Sequence, residues 1–211
     1  MPLPSELQIE IAATAARLIA EDGLDYATAK RKAAQDVLGA GARQTLPDNA
    51  VVEQELRRYL ETFEPERHPQ RLAALRALAL EWMEHLAQFD PHLVGAVLNG
   101  TATEHSDVHL HLFTDDVKEV EMFLLNAGLD FEVEDGDDRP GGAAEVLQLL
   151  STPRRGLGLP PRVGIVLSLH PADGVRTAAR SRSTSAGLHP VEAAGRANLG
   201  QLRQLLADSR A

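Results

Sequence analysis

Cysteine is absent from this chain, so neither a disulfide framework nor a thiol nucleophile enters its chemistry. Aromatic residues are scarce, at 4%, and the formal net charge is −10. A sequence-tolerant nucleic-acid platform needs stacking rings and a basic groove, and this composition supplies neither. No apolar run approaches the roughly 18 residues of a membrane span. Met1 to Glu6 lack the basic and apolar regions of a signal peptide. A cytoplasmic protein with no membrane partner is therefore expected. There is no Gly-x-Ser-x-Gly elbow, and the one glycine-threonine loop lacks the lysine of a P-loop, which excludes two common catalytic plans.

What remains suits a globular protein of one or two domains: 211 residues, 44% apolar and 25% charged. The charge is unevenly spread. Residues 151–211 hold nine arginines against three acids, a balance of +6, which leaves −16 on residues 1–150. Such a basic section either attracts phosphate or packs against the acidic body.

Helical periodicity runs from Ile9 to Ala20, with Ser5 as a cap, and again from Tyr26 to Leu38, closed by Gly39. The first of these segments is similar to the first helix of TetR-type repressors. The recognition helix that a helix-turn-helix requires does not follow it, so nucleic acid is not an expected partner. Asn49 caps a third helix, Ala50 to Thr62, and Gln70 to Phe89 is a long apolar-striped helix stopped by Asp90-Pro91. Leu93 to Leu98 reads as a short strand, Asp107 to Phe113 as a second and Leu129 to Val133 as a third. Asp115 to Ala127 is a helix between the last two. Glu145 to Leu150 and Val163 to Leu169 complete the strands, and Val191 to Leu206 is a final helix.

The stretch Val97 to Phe113 is the one built for chemistry. Polar and apolar residues alternate from Asp107 on, so Asp107, His109 and His111 share one strand face while Val108, Leu110 and Leu112 share the other. A His-x-His pair beside a carboxylate suits zinc, manganese or nickel, and His105 and His170 are further nitrogen ligands if the fold brings them near. The same row also fits a polar sheet face whose histidines are partnered by neighbouring acids. Gly100 and the backbone N–H groups after it form a candidate anion nest, within reach of Arg154, Arg155 and Arg162.

Gly100-Thr101 followed by Ser106-Asp107-Val108-His109 resembles the signature of the nucleotidyltransferase (polymerase-beta-like) superfamily. That signature is an apolar strand, a glycine turn, a short loop and Ser-Asp-x-Asp opening a second strand. The later run Ile165 to Pro171 is similar to the ending of the third acidic strand in antibiotic-modifying members, with Ser168 at the acidic position. The resemblance covers about residues 70–175.

The resemblance implies an α/β fold, a mixed sheet flanked by helices, in three parts: a helical N-terminal region (1–68), the α/β core (69–175) and a C-terminal helical tail (176–211). It implies a nucleotide partner, held at Gly100, Thr101 and Ser106, and a divalent metal, magnesium, manganese or zinc. In such enzymes three carboxylates clamp two cations. Here Asp107 is kept, while His109 and Ser168 stand where the other two acids belong; Glu104, Asp115 and Asp116 are close in sequence but off the motif positions, and Glu132 on the next strand is the candidate substitute acid. The expected function is nucleotide or metal binding with incomplete catalytic acids, in a regulatory protein. An active transferase using Asp107, His109 and Glu132 is one alternative. A protein-interaction module, docking a partner or a second copy through its helices, is another.

Overall fold

The computed structural model describes residues 5–39, 46–136, 142–154, 156–176 and 188–209. Three helices come first: α1 (Glu6–Asp22), α2 (Tyr26–Leu38) and α3 (Asn49–Phe63). The Ser5 hydroxyl accepts from Gln8 N–H while the Gln8 side chain accepts from Ser5 N–H, a complete capping box at the start of α1. Asp25 caps α2 by accepting from Ala27 and Thr28. Asp48 occupies the cap position of α3. Asn49, expected there, lies inside the helix and accepts from Lys30 instead. The apolar faces of these helices, including Ile11, Ala15, Ile19, Val52, Leu56 and Leu60, form a core of their own.

The long helix α4 (Arg67–His85) then leads into the sheet. Its strands are β1 (His92–Val94), β2 (Val108–Phe113), β3 (Glu132–Asp135), β4 (Glu145–Ser151), β5 (Val163–His170) and β6 (Ala197–Asn198). They lie in the order β3-β4-β5-β2-β1-β6. Only β2 and β5 run parallel; every other pairing is antiparallel. Helices α5 (Gly95–Asn99) and α6 (Val117–Asn126) follow β1 and β2, and α7 (Pro190–Ala193) and α8 (Leu199–Asp208) flank β6.

Alternation decides which sheet face is covered. Val108, Leu110 and Leu112 of β2 and Ile165, Leu167 and Leu169 of β5 are buried in one apolar cluster with Leu78, Trp82 and Met83 of α4, Val120 and Leu124 of α6, and Leu202 and Leu205 of α8. The Trp82 indole donates to Ser151 Oγ at 3.0 Å, so the one buried polar edge of that ring is satisfied. Helix α8 thus joins the main core through Leu202, Leu205 and Leu206, and β6 extends the sheet beyond β1. No described helix is long and apolar enough to cross a membrane.

Three expected elements differ. Leu93 to Leu98 is not one strand: Gly95 takes a left-handed φ of 73° after β1, and the chain turns at once into α5. The expected helix Val191 to Leu206 is broken by Gly195, also at φ 73°, into α7, β6 and α8. The third strand begins at Glu132 rather than Leu129, where pairing with Gln148 of β4 starts.

Candidate functional site

The uncovered end of β2 opens into a cleft of about 1010 Å³ between the α1–α3 bundle and the sheet. Asp107, His109 and His111 line it together, as their alternation requires, with Phe113 at the far end of the row. Across the parallel pairing, His109 stands beside Val166, His111 beside Ser168 and Phe113 beside His170.

Asp107 packs directly on Gly164 of β5. A Cβ at position 164 would overlap the Asp107 carboxylate, so the missing side chain creates the space that the carboxylate occupies. Asp107 is exposed and its carboxylate ends a rotatable side chain, so Gly164→Ala is expected to push the carboxylate aside at a cost of about 1 kcal/mol or less. In an Asp107→Ala background most of that loss should vanish. Urea unfolding of the four chains measures the coupling, and additive losses would refute the contact.

The far end of the row is a cluster of rings. The His111 and His170 centroids lie 4.4 Å apart, Phe113 stacks on His170 at 5.5 Å, and His92 meets Phe113 edge-on at 5.2 Å. The Arg196 guanidinium sits 5.2 Å above Phe113 and donates to Val175 O. Burial, reinforced by the nearby His170 ring and Arg196 charge, pushes His111 down to about 3. Burial likewise lowers His170, with Arg196 adding to the effect and a hydrogen bond to the Gly142 backbone opposing it. The His109 ring is open to the cleft, yet the surrounding walls lower its pKa as well, against the pull of Asp107. All three imidazoles are therefore neutral at pH 7.

The loop between α5 and β2 is tied down by its own polar groups. Thr103 N–H donates to Ser106 Oγ at 2.9 Å, and Thr103 Oγ1 accepts from His105 N–H. Gly100 N–H donates to Ala96 O, and Thr101 N–H donates to Asn99 Oδ1 and Ala96 O. These donors close the C-terminus of α5, so they do not form the expected anion nest. Ser106 and Thr101 line the cleft. The glycine that ends the strand and lines the cleft is Gly95, 3.8 Å from the His109 Cβ when a Cβ is built on it.

Other expected site residues lie elsewhere. Glu132 is on β3, three strand spacings from β2, or roughly 14 Å, so it does not join Asp107. Arg154 lies against α4, 3.4 Å from Glu81. Arg155 is outside the described residues. Among the described residues no group of three or more His, Asp or Glu is placed to hold a metal ion.

The bundle contributes lining residues that the β2 motif does not reveal. Tyr26 and Glu53 face the cleft from α2 and α3. Burial and the Glu53 charge push the Tyr26 phenol up to about 12, against the effect of its hydrogen bond with Thr101. Their signal was an apolar helix interrupted by polar residues, which also describes any solvated helix. Compared with family models, curated proteins and solved structures, the chain matched none.

Proposed function

We propose that the chain is a nucleotidyltransferase-like protein with incomplete catalytic acids, which binds a nucleotide or a nucleotide–metal complex in the Asp107 cleft and acts as a regulatory binder. The observation that carries this reading is the Asp107 row opening into a large cleft beside parallel β5, with a strand-ending glycine turn at Gly95. Helix α4, β1, β2 and α6 follow one another, with short α5 where the resemblance implies only a turn, and this order supports the reading. The cleft is lined by one carboxylate of the motif, Asp107, and by neutral His109 in the second place, while Ser168, in the third, stands beside His111 in the β2–β5 pairing and is not a lining residue. That set can anchor one cation weakly but cannot hold two hard cations with oxygen ligands.

An active enzyme relying on Glu132 is disfavoured by the three strand spacings between Glu132 and Asp107. The test is an adenylyl-transfer assay with ATP and magnesium or manganese. Little or no transfer is expected from the chain, while His109→Asp, which adds a second oxygen ligand, should raise manganese affinity about tenfold or more. Sustained transfer that disappears in Asp107→Ala would overturn the reading in favour of catalysis.

A further inference from the structure

We propose that the α1–α3 bundle is a hinged lid, held over the cleft by a polar seam and swinging about the α3–α4 junction to admit the cleft's ligand. The two apolar clusters are separate: the buried residues of α1–α3 pack among themselves, and those of the sheet, α4, α6 and α8 pack among themselves. Each body therefore keeps its fold when the two part, because neither core is opened.

Among the described residues, hydrogen bonds join them across the cleft. Arg57 of α3 donates through Nε and Nη2 to Asn99 O at 3.3 and 3.0 Å. His105 Nε2 donates to Glu21 O at 3.2 Å, and its ring lies so close to Gly23 that a Cβ there would be 2.7 Å from His105 Cγ. Both contacts land on residues 99–105, the loop that leads directly to Asp107, and Tyr26 of α2 lines the cleft with Thr101 of that loop. Hydrogen bonds of this kind exchange readily with water, so parting them costs far less than opening an apolar core.

The junction suits a hinge. Helix α3 ends at Glu64, with φ −130° and ψ 45°, and Pro65 and Glu66 precede α4. Pro65 keeps the two helices from fusing into one rod. Arg71 of α4 pairs with Glu64, which keeps the pivot anchored to α4. Hinges of a few element-terminal residues are the usual way to close a cleft on its ligand.

The lid governs access to the same cleft and does not require its ligand to be a nucleotide, so failure of one idea leaves the other standing. The absence of cysteine gives a clean test. Spin labels at Asp36→Cys on α2 and Glu119→Cys on α6 report the distance between the bodies by electron–electron resonance. The labelled chain should show mainly one short distance, and adding Arg57→Ala and His105→Ala should raise the longer-distance population roughly tenfold. Circular dichroism should show the helices retained. An unchanged distance distribution in the four-site variant would overturn the lid. Loss of helix in that variant would overturn it equally, since the bundle would then depend on the seam for its own fold.

Discussion

Arg76→Met should cost about 3–5 kcal/mol of stability, the largest effect of any substitution outside the apolar cores. Arg76 is 5% exposed. Its Nε donates to Val97 O at 3.0 Å, its Nη2 donates to Leu98 O at 2.8 Å, and the same Nη2 lies 2.7 Å from Glu192 Oε1. Glu192 in turn accepts from His189 N–H in the cap of α7. One guanidinium thus satisfies two carbonyls of the short helix α5 and neutralises the carboxylate that starts α7. Removing it strands a half-buried charge and two carbonyls together, and leaving such groups unpaired dominates the loss. Arg76→Met combined with Glu192→Met should recover part of the stability. Urea unfolding reads both, and a loss below about 1 kcal/mol in the single variant would refute the assignment.

Acid should weaken the fold well before the carboxylates titrate. Burial, with neighbouring positive charge, lowers His68, His111 and His170, and burial lowers His109 against Asp107. An unfolded histidine titrates near 6.5, so below that pH the unfolded chain binds more protons than the folded one. The stability these rings contribute is complete above about pH 6.5 and falls as pH drops, for His111 down to about 3. Each ring held neutral adds up to about 1.4 kcal/mol per pH unit. His111 is partly open to the cleft, so its share between pH 6.5 and 5 is on the order of 1–2 kcal/mol. Glu145, whose carboxyl is raised mainly by burial, acts with the opposite sign and favours the fold at low pH. Unfolding free energies measured from pH 7.5 to 5 should fall in the native chain and fall less steeply in His111→Gln. Equal slopes would show that His111 is not held neutral.

Local patterns in the sequence were enough for the elements whose cause is local. The alternation from Asp107 to Phe113 produced a strand with one apolar and one polar face, and α2 runs from Tyr26 to Leu38 and closes at Gly39 as expected. A six-residue apolar run such as Leu93 to Leu98 fits a strand or a buried helix equally, and only the backbone at Gly95 separates the two. The N–H groups at Gly100 and Thr101 are used in closing α5, a pairing that becomes visible only once α5 is known to be a helix.

The remaining misses depend on long-range pairing. Glu132 shares the uncovered sheet face with His109, but the strand order separates them, and periodicity carries no information about strand order. Arg76 and Glu192 are far apart in the chain, as are Asp107 and Gly164, and each pair meets only through the packing of the whole core. Tyr26 and Glu53 reach the cleft because the bundle lies over it.

Calorimetric titration of the chain with ATP in the presence of manganese tests the central claim most directly. The account predicts one site per chain, with Asp107→Ala weakening it about tenfold, equivalent to about 1.4 kcal/mol, while the fold stays intact. Absence of binding at millimolar ATP, or binding untouched by Asp107→Ala, would contradict a nucleotide site built around Asp107.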